Sequence, residues 1–224
     1  MNVIFNKASP VGPPQAQQVR VSNVGFSYSG TTVFRGVTLS VEPRTVTTVV
    51  GSNGCGKSTL LGLLAGVLQP DTGQIGIDRR NVAFAVQRSE VTDTFPMTAF
   101  HAVMMGRWRV LGLLRRPRAH DRAVVDHWLT ELGLDGLRDR TLGELSHGQR
   151  QRVLLAQAFA QEAPVLLLDE PTTGLDIASS ELVIDKLRQL AGDGTTVIAA
   201  SHDAALVAAF THRIDLDEHR RALG

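Results

Sequence analysis

The sequence predicts an α/β fold with a mainly parallel sheet, an N-terminal antiparallel β region and an inserted helical region. Three observations predict it. An apolar, β-branched run at Thr45–Val50 feeds a glycine-rich loop and then a leucine-rich helix. Two further apolar runs, Val165–Leu168 and Thr195–Ala200, have the length and uniform hydrophobicity of strands covered on both faces. Between the loop and those runs, residues 88–160 carry helical spacings: Val103, Met104, then Val124, Val125, Trp128, Leu129 and Leu132.

The elements follow in order. Residues 1–18, with Pro10, Pro13 and Pro14 and no periodicity, predict a flexible tail, which leaves one domain over 19–224. Alternation at Val19, Val21, Val24, Phe26 and again at Val33, Val37, Leu39, Val41 predicts antiparallel strands. The helix after the glycine loop is expected to end near Leu68, ahead of the turn Gln69-Pro70-Asp71-Thr72-Gly73. Ile75, Ile77 and Val82–Val86 predict short strands that complete a first core segment, 19–87. The helical segment 88–160 follows. The rest of the core, 161–224, holds the two buried strands with a helix at Glu181–Leu190 between them.

Gly51-Ser52-Asn53-Gly54-Cys55-Gly56-Lys57-Ser58-Thr59 has the G-x-x-x-x-G-K-S spacing of a P-loop, in the strand–loop–helix context that motif requires. Glycines let the loop curl until successive backbone N–H groups point at phosphate oxygens, and the helix adds the positive end of its dipole. Lys57 can reach the β- and γ-phosphates and Ser58 can offer its hydroxyl to Mg²⁺. A nucleoside triphosphate is the ligand this implies. Leu166-Leu167-Leu168-Asp169-Glu170 supplies the complement: Asp169, ending a buried strand, can hold Mg²⁺, and Glu170 can polarise an attacking water.

Composition narrows the partners. The 224 residues are 43% hydrophobic and 20% charged with a formal net charge of +1, so no global field favours nucleic acid or anionic lipid. Only three lysines occur, Lys7, Lys57 and Lys186, and one of them falls where the P-loop needs it. No apolar run approaches the roughly 20 residues that span a bilayer, and Met1–Gln18 does not resemble a signal peptide. The expectation is a cytoplasmic chain held at a membrane only through a partner. The lone Cys55 excludes an intrachain disulfide. It reads as a small residue tolerated in the loop, although a helix N-terminus would also suit a reactive thiolate whose alkylation blocks nucleotide binding and which ATP protects.

Leu145-Ser146-His147-Gly148-Gln149, followed by Arg150-Gln151-Arg152 and a helical Val153–Phe159, resembles the signature motif of ABC-type ATPases. Ser146 and the Gly148 N–H at a helix start make a second anion site. The resemblance implies that Ser146, Gly148 and Gln149 serve ATP held on the P-loop of a second copy, in a head-to-tail homodimer. His147 stands where the family usually has glycine. The same resemblance, which covers about residues 19–216, implies roles for other positions. Tyr28 matches the aromatic that stacks on adenine, and Gln87 the glutamine that senses Mg²⁺ and the attacking water and couples to a membrane partner. Gly174-Leu175-Asp176 matches the dimer-contacting loop, and His202 the switch histidine that contacts the γ-phosphate.

In this family the helical insertion docks a separate permease, itself fed by an extracytoplasmic solute-binding protein. The insertion's Asp93-Thr94-Phe95-Pro96-Met97-Thr98 and Met105-Gly106-Arg107 elements resemble those of zinc- and manganese-uptake ATPases, with zinc preferred. Iron–siderophore and cobalamin ATPases share the Gly-Arg feature and are the alternative, together with single-cassette division or lipoprotein-handling ATPases. His120 and His127, seven residues apart, and His212 and His219 are expected to be solvated rather than metal ligands. A GTPase would need a base-reading Asn-Lys-x-Asp element after the P-loop, and the only Asn-Lys pair, Asn6-Lys7, lies in the tail.

Overall fold

The structure, a computed structural model, describes residues 18–85, 97–111 and 116–221, with the side chains of 219–221 left aside. Residues 1–17 of the predicted tail 1–18, Gln87, the whole 88–96 stretch and the His219 side chain lie outside the described residues. Within them the predicted fold class is present: one parallel sheet, one antiparallel sheet, and a helical segment between two core strands.

The antiparallel sheet comes first. Strands β1 (Val19–Tyr28) and β2 (Thr31–Val41) form a hairpin, joined by Ser29 and Gly30, both with positive φ (44° and 87°). That pair of left-handed residues matches the twist of the flanking strands. A later strand, β4 (Thr72–Gly76), adds to the free side of β1, giving the order β2-β1-β4. Between β2 and β4 the chain runs through β3 (Val46–Val50), the glycine loop and helix α1 (Lys57–Ala65).

Helix α1 ends at Ala65, one turn before the expected Leu68. Gly66 adopts the left-handed conformation (φ 76°), its N–H donates to the Leu63 carbonyl, and the Leu68 N–H reaches back to the Gly62 carbonyl. This glycine-closed end satisfies the last carbonyls and lets Leu68 pack on the core outside the helix.

The five-stranded sheet adds β5 (Val82–Ala85), β6 (Val165–Asp169), β7 (Thr196–Ala200) and β8 (His212–Asp215) to β3, all parallel, in the order β5-β6-β7-β3-β8. Strands β3, β6 and β7 are buried at every residue, and their side chains alternate between two cores. Leu166, Leu168, Val197 and Ala199 face one cluster, with α6 (Ile177–Gly192) and the helical segment. Val165, Leu167, Ile198 and Ala200 face the other, with α1 and the antiparallel sheet. This two-sided burial is why those segments read as continuous apolar runs.

The helical segment contains α2 (Ala99–Met105), α3 (Trp108–Leu111), α4 (Ala119–Glu131) and α5 (His147–Phe159). Two residues explain its Met-Gly-Arg element. A Cβ on Gly106 would lie 2.2 Å from the Gln157 carbonyl oxygen, so only glycine lets the end of α2 lie against α5. Arg107 is 1% exposed. It binds Asp121 at 3.2 Å, the Ala160 carbonyl at 2.7 Å and Glu162 at 2.7 Å, tying the α2–α3 corner to α4 and to the end of α5. The chain closes with α7 (Ala204–Ala208) and α8 (Leu216–Arg221).

Candidate functional site

Strand register assembles the site. Ala200 on β7 is paired with Val49 of β3 on one side and with Asp169 of β6 on the other. The carboxyl ends of three parallel strands are therefore level, and the P-loop, Glu170 and the Ser201-His202 step leave the sheet at one edge. This is where α/β sheets bind ligands.

The P-loop is held in a shape few sequences permit. Gly51, Gly54 and Gly56 all have positive φ (148°, 78° and 109°). A Cβ on Gly56 would meet the Phe34 ring at 2.8 Å, so the antiparallel sheet abuts the loop at this point. No side chain caps α1 at its N-terminus and its first turn holds no acidic residue, which leaves orphan N–H groups for an anion. The Lys57 ammonium donates to the Gly51 and Ser52 carbonyls at 2.9 and 3.2 Å. Ser58 is exposed beside it, and Asn53 and Gly54 are exposed along the loop. Thr59 is turned inward.

Cys55 departs from one expectation. Its side chain is 0% exposed and belongs to the core cluster of α1 and the antiparallel sheet, so the reading of an accessible thiolate is corrected by burial. A Cβ on Gly51 would fall 2.6 Å from its sulfur, which shows how closely the loop wraps it.

Asp169 and Glu170 stand side by side, 7% and 8% exposed. Burial pushes the Asp169 carboxyl above its ordinary value and the Glu170 charge adds to this, while the Ser58 hydroxyl and the Lys57 ammonium pull it down. A buried carboxylate with a second carboxylate beside it and a hydroxyl at hand is a hard-oxygen site that a cation would relieve. Mg²⁺, which takes one or two protein oxygens and completes its shell with water and phosphate, fits that donor set. Among the described residues no cluster of three or more His, Cys, Asp or Glu could hold a metal; His120 and His127 are exposed on α4.

Glu170 carries strain, with φ 51°, and its N–H donates to the Ala200 carbonyl at 2.9 Å. Its carboxylate is aimed by three groups. His202 Nδ1 lies 2.8 Å from Oε1, and Oε2 is approached at 3.4 Å by both the Ser201 hydroxyl and the His202 N–H. The His202 side chain is otherwise 68% exposed and faces outward at the edge.

The signature segment forms a closed cap on α5. Ser146 Oγ accepts the Gln149 N–H at 3.2 Å and Gln149 Oε1 accepts the Ser146 N–H at 2.9 Å. Among the described residues no hydrogen bond joins Ser146, Gly148 or Gln149 to the P-loop of the same chain. The signature instead leans on the 170s loop. The Gln151 amide donates to the Glu170 and Pro171 carbonyls at 3.4 and 3.3 Å, and a Cβ on Gly174 would strike the His147 ring at 2.3 Å. Asp176 caps α6 by accepting the Ser179 N–H at 2.7 Å. Tyr28, 48% exposed at the hairpin tip, stands edge-on to Phe26 with ring centroids 4.8 Å apart.

The sequence reading missed several members. Ser201 and Gln151 position Glu170, and Asp217 of α8 accepts from the Ser52 N–H at 2.7 Å and the Ser52 hydroxyl at 2.9 Å. Asp217 lies 165 residues beyond Ser52, so no local pattern could have shown it.

Comparison with known proteins gives the family. The profile of the ABC transporter family matches residues 34–173. The manganese transport system ATP-binding protein MntA of Synechocystis is 40% identical over 202 residues, covering 86% of this chain and 78% of that protein. The zinc transport system ATP-binding protein TroB of Treponema pallidum is 34% identical over 206 residues, covering 89% of this chain and 77% of its own. A solved structure described as a metal-chelate type ABC transporter in an inward-facing conformation superimposes with a TM-score of 0.79 at 33% identity, over 90% of this chain and 79% of that one. By profile, identity and fold, this chain belongs to the ABC transporter family, as one of its ATP-hydrolysing cassettes.

Proposed function

We propose that this chain is the ATPase subunit of an importer for a divalent transition metal, working as a homodimer beneath a separate permease. The observation that carries the metal reading is the 40% identity to a manganese-transport ATP-binding protein across 86% of the chain. Zinc, preferred on sequence likeness, is also the cargo named for a relative at 34%. Manganese has the stronger identity, and the cargo itself need not touch this polypeptide. Docking on a permease at the helical segment places the chain at the inner membrane surface, consistent with the lack of any helix among the described residues long and apolar enough to cross a membrane.

The proposed roles are supported by the geometry. Lys57, released from the Gly51 and Ser52 carbonyls, and the uncapped N–H groups at the start of α1 neutralise phosphate charge. The loop residues Gly51 to Thr59 wrap the phosphates, and Tyr28 offers its exposed ring to the adenine. Ser58 and Asp169 would hold Mg²⁺, which when bound supplies charge neutralisation between the phosphates. Gln87, outside the described residues, is proposed to join them. Glu170 accepts the proton of the attacking water, its carboxylate held in place by Ser201 and His202. Among the described residues no hydrogen bond joins Ser146, Gly148 or Gln149 to their own P-loop, which supports their acting on the nucleotide of a second copy.

Metal-limited growth and uptake of radiolabelled Mn²⁺ and Zn²⁺ in a strain lacking this chain test the proposal. Wild type should restore uptake of one of them and Lys57→Ala should not. Restoration by Lys57→Ala, or no change in the uptake of either metal on deletion, would overturn it.

A further inference from the structure

We infer that Asp217 is a positioning residue for the P-loop: its carboxylate anchors Ser52, and through Ser52 the turn and the lysine that receive the triphosphate. The inference rests on the nucleotide reading of the loop given above.

Sheet register brings the two segments together. Strands β3 and β8 are parallel neighbours with Val50 opposite Asp215, so the P-loop and α8 leave the sheet side by side. The turn into α8 is itself fixed. Leu216 is 1% exposed, and Asp215 accepts the Asp217 N–H at 3.0 Å while pairing with Arg213 at 2.9 Å. With its backbone set, Asp217 turns its carboxylate onto the loop. Oδ2 takes the Ser52 N–H at 2.7 Å and Oδ1 takes the Ser52 hydroxyl at 2.9 Å. The neighbouring Gly51 lies alongside this contact: a Cβ there would sit 3.6 Å from the Asp217 carboxyl carbon, an ordinary van der Waals distance.

The remaining polar atom of Ser52 serves the loop itself. Its carbonyl accepts the Cys55 N–H at 3.2 Å, closing the turn of the loop, and accepts the Lys57 ammonium at 3.2 Å. Every polar atom of Ser52 is thus engaged, two by Asp217 and one by the turn and the lysine. Ser52 serves as the post on which the loop hangs, and Asp217 holds the post. The competing consequence is electrostatic, since a carboxylate at the rim of an anion site opposes phosphate. The two contributions have opposite signs, so a measurement separates them. Charge-assisted hydrogen bonds are the stronger kind, and only part of their strength reaches ATP affinity; a five- to tenfold change is the expected scale, roughly 1–1.4 kcal/mol.

The test measures steady-state ATPase activity and fluorescent-nucleotide binding on the purified full chain, with Asp217→Ala, Asp217→Asn, Ser52→Ala and the Ser52→Ala/Asp217→Ala double variant. Asp217→Ala should raise KM about five- to tenfold with a smaller change in kcat, and Asp217→Asn, which keeps one acceptor, should fall between it and wild type. In the Ser52→Ala background the same change should cost less, because the residues act as a pair. A fall in KM would show that the carboxylate opposes the nucleotide, and would overturn the inference. So would unchanged KM in both Asp217 variants, equal losses in KM and kcat that track a lowered Tm, or strict additivity with Ser52→Ala. Asp217→Asn decides the matter if Asp217→Ala does not fold. Lys57→Ala is the control: nucleotide binding unaffected by that substitution would sink the nucleotide reading itself, whereas binding lost there and untouched by Asp217→Ala would sink only this inference.

Discussion

His202 Nδ1 lies 2.8 Å from Glu170 Oε1, which joins the strand-end histidine to the residue after the buried aspartate. The contact spans β6 and β7, and its partners arrive together because those strands end level. The carboxylate is oriented by groups of the protein itself, which is what preorganised catalysis requires.

Glu170→Gln should bind MgATP and hydrolyse it at least about a hundredfold more slowly, since it removes the proton acceptor and keeps the shape. The variant should accumulate as a dimer with ATP in size-exclusion chromatography with light scattering. Wild-type turnover would show that another group is the base.

His202→Ala removes one of the three groups that aim Glu170 while leaving Ser201 Oγ and a backbone N–H. The expected result is a loss of about a hundredfold in kcat with KM nearly unchanged. A rise in KM with kcat intact would place His202 in nucleotide binding alone.

Cys55, fully buried beneath the loop, should resist N-ethylmaleimide in the native chain and react at once after denaturation. Mass spectrometry over a labelling time course measures both rates. Rapid native labelling that ATP suppresses would restore the reactive-thiolate reading.

Asp121→Asn should destabilise the fold at neutral pH by about 3 kcal/mol, the lower end for breaking a buried pair, because Arg107 keeps Glu162 and the Ala160 carbonyl. Burial pushes the Asp121 carboxyl up, but the Arg118 N–H and the Arg107 guanidinium outweigh it and hold the group below its ordinary value. A lowered folded-state value gives stability that is present above the unfolded value, near 4, and is lost as pH falls through the folded value. Urea melts should therefore show the gap between wild type and variant shrinking below about pH 4. A gap independent of pH would mean the pair contributes by shape alone.

The core of the fold was legible because its signals are local. Val165–Leu168 and Thr195–Ala200 read as two-faced strands from hydrophobicity alone, and the P-loop from spacing. The end of α1 was misplaced because Gly66 closes it through backbone geometry, while Leu68 continues the apolar pattern outside the helix. Site members contributed across the sheet were invisible for a different reason. Asp217 meets Ser52 only through the pairing of β3 with β8, and Gln151 meets Glu170 only once α5 lies along the loop. Gly106 and Arg107 stood out as a motif, but their reason, a helix crossing too close for a Cβ and a buried guanidinium, exists only in three dimensions.

The left-handed backbone at Glu170 has a consequence for the protein's history. A side-chain-free residue there would relax the chain by about 1 kcal/mol or more, yet leave no acceptor for water's proton. Selection for sturdiness and selection for turnover therefore pull against each other at a single codon. Drift toward glycine at this place would yield a tougher cassette that closes on its fuel and never spends it.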